Sequence, residues 1–323
     1  MRACRSLFAC RSLLACRSLF ACRTLFAWWI GWGAGLFALG LPAAPLEEAS
    51  IHPVAARLIT AGFDVSATER VQLPPPLVRP GMSARQQQVA IERLVGKTRM
   101  RQFFRDSQVA RHELKVPTLR RLADGSTVRG FDLAFIVYGD LSAISERQSN
   151  QPNAWPTDGS FATRFEPLDA RPSPAEAIEW SQQPRLYRYR FPLLDKVIIS
   201  GLVRGQAVIT DDQVVQTMFT PADYLNDKQN PSVWQAIPRG AKSDSELAPP
   251  QPFVGMASYM QATGLKFRPG ALLVETHAIY VEPQGWFDGR NLLASKLPLV
   301  MQEGVRQFRR ELAKNRQQKN RQQ

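Results

Sequence analysis

Between Leu25 and Leu46 the chain carries twenty-two residues without a charge, and upstream of them stand five arginines (Arg2, Arg5, Arg11, Arg17, Arg23) and no acid. A helix of that run is about 33 Å long at about 1.5 Å per residue, enough to cross a hydrocarbon core of about 30 Å. Its most hydrophobic part, Leu25 to Leu39, also has the size of a signal-peptide core. The small residues of Ala38-Leu39-Gly40 and Leu41-Pro42-Ala43 supply cleavage positions of the small-x-small kind. Pro42 and Pro45 discourage the helix from continuing. A cleaved signal peptide and a retained transmembrane anchor therefore both fit. Either one leaves the arginine-bearing end inside and sends everything after Glu47 outside. The expected location is periplasmic or extracellular, or membrane-anchored through residues 25–46 with the C-terminal body outside.

Upstream, a six-residue repeat runs four times, from Ala3-Cys4-Arg5-Ser6-Leu7-Phe8 to Ala21-Cys22-Arg23-Thr24-Leu25-Phe26. Units of six residues are too short to stack as supersecondary structure here. On a helix the cysteines advance about 600° per repeat and spiral around the axis, so they make no metal site. The plain reading is a tandem duplication within a positively charged leader. A lipoprotein signal at Cys10 has no uncharged stretch before it, and lipidated cysteines beside an anchor are the other sharp alternative.

All four cysteines, Cys4, Cys10, Cys16 and Cys22, sit in this repeat. The exported part is therefore without disulfides, thiol nucleophiles or cysteine-bound zinc. Three histidines, His52, His112 and His277, are too scattered for a metal cluster, and neither a metal nor a cofactor is expected. The net charge of +13 falls to +8 without the five leading arginines. Seven basic residues against two acids between Glu303 and Gln323 take a further +5, so the body carries about +3. The basic tail suits an anionic surface, or is the solvated end of a helix. Export argues against nucleic acid as a partner, and none is expected.

Four regions are expected. Residues 1–44 are the repeat-bearing signal or anchor, and 45–82, with Pro74-Pro75-Pro76, a semi-stiff spacer. Residues 83–316 form a single α+β domain with loop insertions near 141–184 and 220–252, and 317–323 the basic tail. Ser83 with Gln86 three residues on predicts a capping box, followed by an apolar stripe of Val89, Leu94, Val95, Phe103 and Phe104. Strands are predicted at His112–Val116 and Thr127–Tyr138 around the turn Asp124-Gly125. In the second, Phe131, Leu133, Phe135 and Val137 share one side and Asp132 the other. A short helix is predicted at Pro174–Trp180.

Further strands are predicted at Arg185–Phe191, Asp195–Val203, Gln206–Thr210 and Gln213–Phe219, turning at Pro192, Arg204-Gly205 and Asp211-Asp212. Tyr187, Tyr189 and Phe191 alternate with Arg188 and Arg190, which makes either an aromatic and arginine surface or a buried aromatic face with solvated arginines. Pro221–Pro252 reads as a loop in which Trp234 buries itself. Ala271–Val281 predicts a long strand, and Leu292–Lys314 one or two helices bent at Pro298. Short turns without helical crossovers predict a mainly antiparallel sheet.

The ending resembles a known unit. A long strand running through Val281-Glu282-Pro283-Gln284-Gly285-Trp286 into a helix with Phe308-Arg309-Arg310-Glu311-Leu312 is similar to the C-terminal strand-to-helix unit of START-like (helix-grip) domains. The likeness covers about the last 45 residues well and the rest in outline, and the polar insertions at 141–184 and 220–252 depart from it. The resemblance implies a curved antiparallel sheet wrapped on the final helix, enclosing an apolar ligand, with Tyr187, Tyr189, Trp286 and Phe308 as lining candidates. The chain also resembles exported bacterial proteins of uncharacterised activity, which implies no chemistry.

Glu275 and His277, two apart on a strand, project from one side between Leu273, Ile279 and Val281. A carboxylate beside an imidazole suits acid–base work or pH sensing, or a structural pair bridging to a neighbouring strand. His112 and Glu113 are sequence neighbours and face opposite sides. No Gly-x-Ser-x-Gly elbow, His-Glu-x-x-His, phosphate loop or dinucleotide fingerprint occurs in the body, which lowers an enzymatic reading. Three functions follow in order. The first is non-catalytic binding of an apolar small molecule or lipid, the second a fully packed cell-envelope interaction module, and the third a hydrolase using Glu275 and His277.

Overall fold

Phe131, Leu133, Phe135 and Val137 are buried on one side of β5 (Thr127–Tyr138), as their period of two requires. On one edge β5 pairs with β13 (Ala271–Glu282), and on the other with β3 (His112–Lys115) and β4 (Thr118–Arg121) in succession. Asp124-Gly125 turns β4 into β5, with Gly125 at φ +84° and the Asp124 carboxylate accepting the Ser126 amide at 2.9 Å. The arm preceding the turn is thus β4, which the sequence did not disclose. The computed structural model describes residues 53–144, 161, 163–168, 185–225, 227–289 and 292–322. The apolar leader, its repeat, the cysteines, His52 and the helix expected at Pro174–Trp180 lie outside the described residues.

Beyond β13 the sheet continues through β12 (Met256–Gly264), β9 (Gln213–Phe219) and β8 (Val197–Ile209), every pairing antiparallel. β7 (Arg185–Leu193) lies along β8 and carries β6 (Arg164–Pro167) on its far edge. β10 (Val233–Ala236) and β11 (Gln251–Pro252) extend the sheet from the first residues of β8. The result is an α+β molecule whose eleven-stranded antiparallel sheet packs against one long C-terminal helix. The turn expected at Arg204-Gly205 is corrected, because β8 runs straight through it. Gly205 lies opposite Arg185 of β7 and Met218 of β9, where pairing with β7 ends and pairing with β9 begins. A glycine at such a handover reads like a turn residue in sequence.

One side of the sheet faces α4 (Leu292–Gln322), whose Leu293, Leu297, Val300, Met301, Val305, Phe308 and Leu312 are buried in the largest apolar core. This is one helix through Pro298, its seventh residue, and it continues past Lys314 to carry the basic tail. The other side is covered by the chain from Pro53 to Met82. There α1 (Pro53–Thr60) and the small hairpin of β1 (Phe63–Asp64) and β2 (Arg70–Val71) bury Leu58, Phe63 and Val65 with Val215, Ala257 and Ile279 of the sheet. The proline-rich stretch read as a spacer lies on the sheet as a strap, with Leu73 and Val78 fully buried.

α2 (Ala84–Val95) follows, opened by the expected capping box. The Ser83 hydroxyl accepts the Gln86 amide at 3.3 Å, and the Gln86 side chain accepts the Ser83 amide at 2.8 Å. Its buried residues are Gln87, Ile91 and Val95, with Val89 and Leu94 half-buried. α3 (Met100–Phe103) then buries Phe103 and Phe104 against Ile136, Leu265 and Leu273. Burial of each such large apolar side chain contributes about 1.5–3 kcal/mol, so this second layer adds substantially to the first. Both sides of the sheet are therefore covered.

Candidate functional site

Antiparallel register sets β12, β13 and β5 side by side on the strap side, placing Tyr259 opposite His277, His277 opposite Asp132, and Gln261 opposite Glu275. The sequence-predicted pair Glu275 and His277 does share one side, and both are buried. His277 Nδ1 lies 2.7 Å from Asp132 Oδ1, and Nε2 lies 3.9 Å from Glu275 Oε1. Tyr259 stacks obliquely on the imidazole with ring centroids 5.0 Å apart.

The Glu275 carboxylate is engaged by the strap. Its two oxygens accept the backbone N–H groups of Leu77 at 2.8 Å and Val78 at 3.3 Å. Gln261 donates to the Val78 carbonyl at 2.8 Å and Tyr259 donates to the Pro74 carbonyl at 2.6 Å. Three strand side chains thus fasten, through four hydrogen bonds, a proline-rich segment that has no regular ladder of its own. Asp132, Tyr259, Gln261 and the strap are the partners that sequence spacing missed. The solitary Asp132 on the strap side of β5 was their only sequence signal.

Burial lowers the His277 pKa, but the hydrogen bonds and charges of Asp132 and Glu275 outweigh it and hold the imidazole above its usual 6.5. Lys115, opposite Asp132 across β3, is the other charged residue of this row. A raised folded pKa contributes stability that is complete below the unfolded value near 6.5 and is lost as pH climbs through the folded value. Urea-denaturation midpoints of the wild type should therefore fall from pH 6.5 upward, and His277→Gln should lack that fall. His112 works with the opposite sign, since burial and then Arg309 push it down, so the comparison must be made against the variant. Parallel profiles for the two proteins would refute the assignment.

With Glu275 occupied by amides and both ring nitrogens of His277 enclosed, the cluster can hold a proton and fasten the strap. Among the described residues no three His, Cys, Asp or Glu side chains are grouped to hold a metal ion.

The helix side gathers the other predicted residues. Tyr187, Tyr189, Trp286 and Phe308 are all buried in the core under α4. Trp286 packs on Phe253, Trp234 and Phe287, Tyr189 stacks with Phe165 and lies beside Phe191, and Phe308 meets Phe135 edge-on. On the outer side of β7, Arg188 pairs with Glu166 and Asn230, and Arg190 with Asp244.

This apolar core also contains polar tips. Gln216 Nε2, Thr276 Oγ1, Tyr280 OH and Trp286 Nε1 are buried without a hydrogen-bond partner among the described residues. Gln216 and Thr276 flank Met260 in one row across three strands, and Tyr280 follows on the same side of β13. Burial, and then the charge of Glu282, push the Tyr280 phenol well above its ordinary value.

Comparison with known families matches none, and comparison with curated proteins also finds no match. Among solved structures the chain is similar to the human StarD13 (DLC2) lipid transfer and protein localization domain, at a TM-score of 0.34 and 11% identity, over 61% of this chain and 89% of that one. It is also similar to a protein from Rhizobium leguminosarum, at a TM-score of 0.27 and 6% identity, over 62% and 99%. Likeness at this level identifies neither a ligand nor an activity.

Proposed function

We propose that the protein is an exported or membrane-tethered, non-catalytic binder of an apolar small molecule or lipid, held between the sheet and α4. The observation that carries this reading is the set of unpartnered polar tips within the apolar core. Native interiors pair their buried polar atoms, and each unpaired one costs about 1–3 kcal/mol. Binding pockets, in contrast, combine apolar walls with a few polar groups that orient a ligand. Gln216, Thr276, Tyr280 and Trp286 have that composition and sit on one side of one sheet. The arginine-flanked apolar run before Glu47 supports delivery across a membrane; among the described residues no helix is long and apolar enough to span one.

The close ring packing around Trp286 favours a second reading, a cell-envelope interaction module with a filled core. One substitution separates the two. Tyr280→Phe removes an unsatisfied hydroxyl, so the ligand-free protein should gain about 1 kcal/mol in urea denaturation under either reading. If the hydroxyl orients a ligand, native mass spectrometry of the purified full chain should also show co-purified lipid reduced about tenfold in the variant. Wild-type protein emerging from membranes with no bound apolar molecule would sink the binding proposal.

A further inference from the structure

The sheet edge beside α4 ends in a groove of about 250 Å³ between the Gln108–His112 segment and the Gln302–Arg309 stretch of the helix. Among the described residues no acidic side chain lines it, whereas Arg111, Arg306, Arg309 and His112 do. The central cation is Arg309, of which only 7% is exposed. Three of its donors are spent on backbone carbonyls, Nε on Ile136 at 2.9 Å, Nη1 on Ala110 at 2.5 Å and Nη2 on Arg111 at 3.0 Å. A guanidinium has five N–H donors, so two remain. No carboxylate pairs with Arg309 among the described residues. Burial pulls its pKa down to about 10.

The neighbouring cations are only partly compensated. Arg306 has Glu303 at 3.7 Å, beyond hydrogen-bonding distance, and Arg111 engages Glu113 through Nε, leaving its two amino groups. Gln108 and Gln302 add neutral donors to the lining. Arginine forks match oxyanions in geometry, and a fixed guanidinium loses less freedom on binding than a mobile one. The volume is too small for a lipid tail and falls below the usual range for drug-sized ligands, which leaves a small anionic group as the occupant it fits.

We propose that this groove is a binding site for a phosphate-like oxyanion, held by Arg309, Arg306 and Arg111. The groove borders the apolar core under α4, with Val305 common to both, and its anion site stands whether or not that core takes a ligand. Free phosphate and the head group of an acidic phospholipid share this chemistry.

His112 provides the readout, since after burial it is the Arg309, Arg111 and Arg306 charges that hold its pKa down against Glu113. In the full chain with ¹⁵N-labelled histidine, inorganic phosphate is titrated against chloride at constant ionic strength. Saturable, one-to-one shifts of the His112 ring and a rise of its titration midpoint are expected. Arg306→Gln, at a half-exposed position that leaves the fold intact, should weaken binding roughly tenfold, with Arg111→Gln as a second variant.

A parallel arm adds vesicles of phosphatidylcholine with and without phosphatidic acid. A response to phosphatidic acid alone, lost in Arg306→Gln, assigns the lipid head group, and a response to phosphate assigns the free anion. Arg321→Gln, which weakens the tail's general attraction to vesicles, should leave the His112 response in place. The proposal is overturned if neither phosphate nor phosphatidic acid moves His112 more than chloride does. It is equally overturned if both groove variants bind like the wild type.

Discussion

Arg309→Met should lower the unfolding free energy by about 4 kcal/mol, a substantial fraction of the roughly 5–15 kcal/mol by which folded domains are stable. The methionine keeps the stem of the side chain but deletes three charge-assisted hydrogen bonds. The carbonyls of Ala110, Arg111 and Ile136 are then left in a site that solvent barely reaches. Those carbonyls lie where β3 begins beside β5, so the guanidinium ties the final helix to a strand junction as well as to the core. The ring of Phe135, 5.6 Å below the guanidinium, adds a cation–π contact that methionine does not replace. Arg309→Lys should recover only part of the loss, because an ammonium cannot reach three carbonyls arranged around a planar fork. Urea denaturation followed by tryptophan fluorescence measures both variants. A loss below 1 kcal/mol for the methionine would mean that water satisfies the carbonyls and that the anchor is dispensable.

The same residue shows what sequence reading reaches. Arg309 was visible within the Phe308-Arg309-Arg310-Glu311-Leu312 segment, but only as one charge of a basic tail. Its carbonyl partners lie some two hundred residues earlier, and nothing in helical spacing points to them. β5 and β9 were legible to the residue because turn signals bound them and because one side of β5 alternates. β12 was missed altogether. Both of its sides are covered, which erases alternation, and Ala257, Ser258, Gln261, Ala262 and Gly264 are poor strand formers by composition. With β12 went Tyr259 and Gln261, half of the cluster around His277. The strap was concealed in another way. Pro74-Pro75-Pro76 reads as an exposed rod, yet an extended segment with few free amides is also well suited to lie flat on a covered sheet.

Glu275→Ala should detach that segment at a cost of about 3 kcal/mol. The carboxylate is the acceptor for the Leu77 and Val78 amides, and an alanine leaves both donors buried beside an imidazole that has lost one of its two flanking acids. Glu275→Gln keeps the shape but turns an NH₂ group toward an N–H donor, so it should cost nearly as much. The two substitutions should also act locally before they act globally. The sheet retains the helix-side core under α4, whereas the strap's other side-chain tethers in the cluster are only Tyr259 and Gln261. Amide exchange at Leu77 and Val78 should therefore accelerate while β12 and β13 stay protected. The effect of Glu275→Gln should shrink in a His277→Gln background, because removing the imidazolium removes part of what the carboxylate stabilises. Unchanged exchange at both strap amides would show that apolar burial of Leu73 and Val78 holds the strap without the carboxylate.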